Sequence, residues 1–348
     1  MDCDFNDLSE LLNILASTFS FSMSYARFSG KKRRMLIVEG TTDSTFIKKL
    51  LVQDVSCEVA SNVLNGTMSM MGGWGKPQPK KFNCKEAIVK LIRGLAQFPP
   101  DWIPNCPEFV AHWDIYGMID ADYQDSDTYR NVAKLFVTDT SDLETLILST
   151  DSDLLIRIEK LCLTHEEIKK AFTWAYQFAK VRDAIIEIIP AKDIPVASLL
   201  APSNEIEYSR FISEEGGINI LEMLKYMDDM GKLDLSKEKM RKFCTNIITK
   251  DKYLKKNVDP KTFAWVWSAS RGEPTAQKDF WNTVKGHTML NMLKYVSPKA
   301  ALYYATPAGD ELNRQFEKDL ISMYDYSKFY STSLCKGMLQ AELVTCAS

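Results

Sequence analysis

The chain has 348 residues, 45% hydrophobic and 26% charged, enough to bury at least one full core and compatible with one large domain or two. A formal net charge of −3 excludes the overall basic surplus that draws many proteins to nucleic acid, so any basic surface must be local. Eight cysteines without a CxxC pair, and only His112, His165 and His287 beside them, point away from structural zinc and from a disulfide framework. The acidic opening and the lack of an apolar run near the ~20 residues of a membrane span predict neither leader nor transmembrane helix. A cytoplasmic protein is expected.

Residues 5–28 read as a short helix and a Ser/Phe-rich connection, and 1–30 form an N-terminal helical segment. The run Lys31-Lys32-Arg33-Arg34 leads into Met35-Leu36-Ile37-Val38, four apolar residues that read as a buried strand ahead of Glu39-Gly40. Phe46, Ile47, Leu50 and Leu51 then fall at helical spacing, giving strand, tight turn and helix. Cys57 to Ala60 suggests a second strand, 65–81 a loop rich in Gly, Met, Pro and Lys, and 85–97 a helix stopped by Pro99-Pro100. A third strand over 113–119 delivers Asp120 and Asp122; a fourth over 135–137 delivers Asp139, Asp142 and Glu144. Strands alternating with helices predict an α/β fold with a mostly parallel sheet flanked by helices over 31–150. Helical patterns over 152–186, 205–230, 236–255 and 276–295 predict a mainly helical second region over 151–348.

In an open parallel sheet, functional groups collect beyond the carboxyl ends of the strands. Glu39, Asp120, Asp122, Asp142 and Glu144 all fall at or just after such ends, and carboxylates converging on one rim would repel one another without cations among them. Hard oxygen donors without histidine or cysteine suit Mg²⁺ or Mn²⁺ better than zinc. Two such ions about 4 Å apart can activate a water and stabilise the leaving oxygen of a phosphodiester. Local positive charge for a polyanion is offered by Lys31, Lys32, Arg33, Arg34, Lys76, Lys80 and Lys81, with Trp74 available to stack on an unpaired base.

The successive segments Val38-Glu39-Gly40-Thr41-Thr42-Asp43, Ile119-Asp120-Ala121-Asp122 and Thr138-Asp139-Thr140-Ser141-Asp142-Leu143-Glu144 resemble the motifs of the TOPRIM fold, across roughly residues 33–150. The combination is closest to the OLD-like TOPRIM effectors of bacterial anti-phage systems, the PARIS type among them. This resemblance implies a metal-dependent nuclease acting on RNA, transfer RNA included, or on DNA. It further implies a toxic effector restrained by an ABC-type ATPase partner and a homodimer when active. Glu39 would act in acid/base chemistry or bind metal, Asp120 and Asp122 would hold metal, and Asp43, Asp142 and Glu144 would complete a second metal position. A GH-containing segment, Val284-Lys285-Gly286-His287, resembles one found in the same group. It nominates Lys285, and more weakly His287, as a cation for the cleaved phosphate, and makes 276–295 a candidate to return to the active site. Where the group carries Asp after the His, this chain has Thr288.

Structural readings stand beside each of these. Asp120 and Asp122 can form turns, Asp142 can cap a helix whose positive end favours Glu144, and Gly286-His287 can make and cap a turn. The basic run before the first strand can be a solvated approach, and Trp74 can anchor its loop on the core. At the level of the whole chain, a non-catalytic regulatory or scaffold subunit of a defence complex would keep the same sheet. No Walker-type phosphate loop is present, so ATP hydrolysis is not expected of this chain.

Overall fold

The four apolar residues Met35 to Val38 are fully buried and end β1 (Arg33–Val38), the second strand in a four-stranded, all-parallel sheet. The structure, a computed structural model, describes residues 5–19, 33–64, 84–98, 113–121, 129–188, 277–297, 299–300 and 309–345. Elements are numbered in chain order over those residues. The other strands are β2 (Val55–Val59), β3 (Trp113–Ile119) and β4 (Leu135–Val137), in the order β2-β1-β3-β4. Val38 pairs with Val59 on one side and Met118 on the other, so β1, β2 and β3 end nearly level. The predicted α/β fold is therefore the observed one.

The described structure divides into two compact units: residues 1–121, 125–139 and 325–348, and residues 122–124 and 140–324. In the first, alternate residues Met35, Ile37, Ile115, Ile119, Leu135 and Val137 share a core with α1 (Phe5–Phe19) and α4 (Cys84–Gln97). Helix α1 contributes Leu8, Leu11, Leu12 and Leu15, all fully buried and each stabilising by about 2 kcal/mol. Gly117 lets α4 approach the sheet, because a Cβ there would lie 2.5 Å from Ile88 Cγ2. A short turn of helix, α3 (Ala60–Val63), follows β2 directly.

Leu36, Val38, Tyr116 and Met118 occupy the alternate strand positions and are also buried. Helix α2 (Thr41–Ile47) places Phe46 against Phe329 and Tyr326, with ring centroids 5.1 and 5.0 Å away. Those two aromatics belong to a 3₁₀ turn (Tyr326–Ser331) that leads into α11 (Ser333–Gln340). Leu51 bridges Val344, and Val52 N–H donates to Leu343 O at 3.0 Å. The last 20 or so residues, expected in the helical region, thus belong to the sheet unit. The expected boundary near 150 also falls earlier, at Asp139/Thr140. The first shift has a plain cause: a parallel sheet needs both faces covered, and the C-terminal segment supplies part of the cover.

The described elements of the second unit are all helical: α5 (Leu143–Thr150), α6 (Leu154–Arg157), α7 (His165–Ile188), α8 (Gln277–Thr283), α9 (Gly286–Val296) and α10 (Gly309–Met323). Phe172 and Tyr176 of α7 stack on Phe280 of α8 with centroids 5.4 and 5.9 Å apart. The fully buried Asp151 is paired with Arg157, and Thr150 Oγ1 lies 2.7 Å from Tyr324 Oη. The expected helices over 205–230 and 236–255 lie outside the described residues. Among the described residues no helix is long and apolar enough to cross a membrane.

Candidate functional site

In the sheet unit, the chain turns from β1 to β2 on one side and later adds β3 on the other, so the strand order reverses direction between β1 and β3. In open parallel sheets the loops part at such a switch point and leave a crevice at the carboxyl ends. Glu39 and Asp120 are the first residues beyond β1 and β3. Asp120 N–H donates to Glu39 Oε1 at 2.8 Å, so the two strand ends are tied through a carboxylate. Both residues are half-buried.

Asp43 lies in the first turn of α2, 8% exposed, and its Oδ2 accepts from Gly40 N–H at 2.9 Å. This is the return contact of an N-terminal cap, which offsets an orphan backbone donor and sets the tight turn after Glu39. Asp122 lies outside the described residues.

A cation not foreseen from the sequence sits at this rim. Lys85, only 4% exposed, extends from the first turn of α4 and donates to Asp120 O at 2.6 Å, with Nζ 5.6 Å from the centre of the Tyr129 ring. Its signal was available: Lys85 shares a helical stripe with Ile88, Val89 and Ile92, all buried. Charges on a helix ordinarily face solvent. Instead Glu86 and Lys90 are buried as well, because α1 covers that side, and Lys90 pairs with Asp7 at 2.5 Å and Glu86 at 3.4 Å.

Of the proposed nucleic-acid contacts, Lys31, Lys32, Trp74, Lys76, Lys80 and Lys81 lie outside the described residues. Arg33 and Arg34 open β1, so five residue steps of extended chain, roughly 17 Å, separate Arg34 from Glu39. Arg34 is held there by Asp54 at 2.8 Å and by Glu342 O, and Arg33 lies over the Trp113 ring. These two arginines therefore stand at the opposite end of the sheet from the acidic rim.

In the helical unit, Asp142 caps α5. Its Oδ1 accepts from Thr145 N–H at 2.9 Å, and its Oδ2 accepts from Gly286 N–H at 2.8 Å. Ser141 N–H donates to Trp281 O at 3.2 Å, and Ser141 Oγ donates to Val284 O. The segment Val284-Lys285-Gly286 is thereby fastened to the start of α5. A Cβ at Gly286 would lie 2.4 Å from Glu144 Cβ, so glycine is what allows this approach. The downstream segment thus packs on Asp142 and Glu144. Lys285 is half-buried at the N-cap of α9, and His287 is the second residue of that helix.

Asp139, which ends the run after β4, accepts from Leu334 N–H of α11 at 3.0 Å. Burial pushes the Cys57 thiol up to about 11, which favours its neutral form. Among the described residues no group of three or more His, Cys, Asp or Glu is arranged to hold a metal ion. Compared with the models of known protein families, with curated proteins and with solved structures, the chain matches none.

Proposed function

We propose that this protein hydrolyses phosphodiester bonds in a nucleic acid with the help of Mg²⁺ or Mn²⁺, and that Glu39 and Asp120 form the heart of its site. The observation that carries this reading is the pair itself: two acidic residues at adjacent strand ends, at the switch point of a parallel sheet, with the Glu39 carboxylate accepting the Asp120 main-chain N–H. The donor set fits the ion, because Mg²⁺ keeps several waters and commonly takes one or two carboxylates rather than a full protein cage. When bound, such an ion supplies an acidified water and charge for the leaving oxygen. Glu39 would bind the ion or move the proton of that water, and Asp120 would hold the ion beside it. The resemblance adds Asp122, and it is also the source of the RNA preference, the ATPase partner and the homodimer.

Asp43 and Asp142 fit a second metal position less well, since each already accepts backbone N–H groups where a helix begins. That observation favours the second reading, a non-catalytic subunit whose sheet carries a partner protein. Purified chain incubated with Mn²⁺ or Mg²⁺ and labelled RNA or DNA separates the two. Wild type should cleave, and Glu39→Gln should lower the rate by about 10³-fold. Equal behaviour of the two proteins would leave the scaffold reading standing.

A further inference from the structure

Beyond Ile119 the β3 ladder stops, so the main chain that carries Asp120 must be held by other groups. Thr138 N–H still donates to Ile119 O at 3.1 Å, and three further contacts hold it. Asp120 N–H donates to Glu39 Oε1 at 2.8 Å, Lys85 Nζ donates to Asp120 O at 2.6 Å, and Ala121 N–H donates to Thr138 Oγ1 at 2.8 Å. The first fixes the peptide plane before the Asp120 Cα, and the other two grip the plane after it at both ends. With both planes set, the carboxylate has only its own side-chain torsions left to choose.

Lys85 is the unexpected member. Burying an ammonium is costly, and a Leu or Met in its place would fill the same space without that penalty. Neither could donate to a strand-end carbonyl. We infer that Lys85 is a positioning residue for a divalent-cation site at Glu39 and Asp120, fixing the peptide from which the Asp120 carboxylate projects. The inference rests on the rim being a cation site, as proposed above. Groups that orient metal ligands from behind typically change affinity by about 10–100-fold when removed.

The test is Mn²⁺ binding to the full chain, measured by calorimetry, for wild type, Glu39→Gln, Lys85→Met and Lys85→Arg, with thermal unfolding as the control for folding. Wild type should bind and Glu39→Gln should not. Lys85→Met should bind about 10–100-fold more weakly, and Lys85→Arg, which keeps a donor, should lose less. Charge alone predicts the opposite sign, because removing a nearby ammonium favours a cation. Affinity unchanged or tightened in Lys85→Met therefore overturns the role of Lys85 while leaving the rim intact. Absence of binding in wild type overturns both. If Lys85→Met does not fold, Thr138→Val, which loosens the same peptide from its other end, decides by the same measure.

Discussion

The sheet unit and the helical unit each place acidic side chains where regular structure begins or ends, and they use them differently. At the end of β1, Glu39 accepts an N–H from a neighbouring strand end, so the carboxylate joins two elements. At the start of α5, Asp142 has one oxygen on Thr145 N–H and the other on Gly286 N–H, so it closes a helix end and anchors a segment more than 140 residues away in the chain. On the proposed reading, the first arrangement is the one that a bound cation would change. The second is complete as structure. Position at an element boundary thus does not distinguish the two arrangements; what each carboxylate joins does.

The sharpest check on structural acids in the sheet unit concerns Asp7. Asp7→Asn leaves the buried Lys90 ammonium with Glu86 as its carboxylate neighbour and should cost about 3 kcal/mol in urea unfolding. Burial pulls the Lys90 pKa down, but Asp7 and Glu86 more than offset this and hold it above the ordinary lysine range. A raised lysine pKa stabilises the fold fully below the unfolded value of about 10.4 and is lost as pH rises through the folded one. The gap between wild type and Asp7→Asn should therefore stay constant through neutral pH and narrow only in alkali. A gap already narrowing between pH 7 and 9 would show that Lys90 is not held charged by this pair.

Next in size is the contrast between Asp142 and Glu39. Asp142→Asn can keep one cap contact but turns an amide N–H₂ toward Gly286 N–H or Thr145 N–H, and should cost about 2–3 kcal/mol. Glu39→Gln keeps a carbonyl for Asp120 N–H and should cost less than about 1 kcal/mol. Equal losses in chemical denaturation would erase the distinction between rim and cap. Gly286→Ala sharpens the same point: its methyl would press on Glu144 Cβ, and the overpacking should cost about 2 kcal/mol, read as a lowered Tm.

Much of this was legible in the sequence where a local pattern had a single solution. The buried run Met35 to Val38, the apolar stripe of α4 and the acids after β1 and β3 follow from period and position alone. What period could not reveal was which distant segment would cover a face. Nothing local to Tyr326 and Phe329 says that they pack on Phe46, and nothing local to Lys85 says that Asp120 O will be its partner. Similarly, Arg33 and Arg34 read as a basic patch until strand direction puts them at the amino end of β1. The pairing of Val284-Lys285-Gly286 with Asp142 was not legible either, since a contact between residues 142 and 286 leaves no trace in spacing.

The smallest expected effect tests whether Asp139 belongs with the caps. Its Oδ2 receives Leu334 N–H in the first turn of α11, where a negative charge also meets the positive end of the helix. Asp139→Ala should cost only about 1 kcal/mol, because Thr332 Oγ1 still accepts from Cys335 N–H at 3.1 Å and keeps that helix end from being bare. Hydrogen exchange is the sensitive measurement, since the loss should fall on residues 325–345 and spare the amides of β1 and β3. Faster exchange confined to that segment would place Asp139 among the structural acids that fasten the C-terminal cover to the sheet. Unchanged exchange together with weakened Mn²⁺ binding would move it to the rim beside Glu39 and Asp120, and the contrast between the two kinds of carboxylate would have to be redrawn through it.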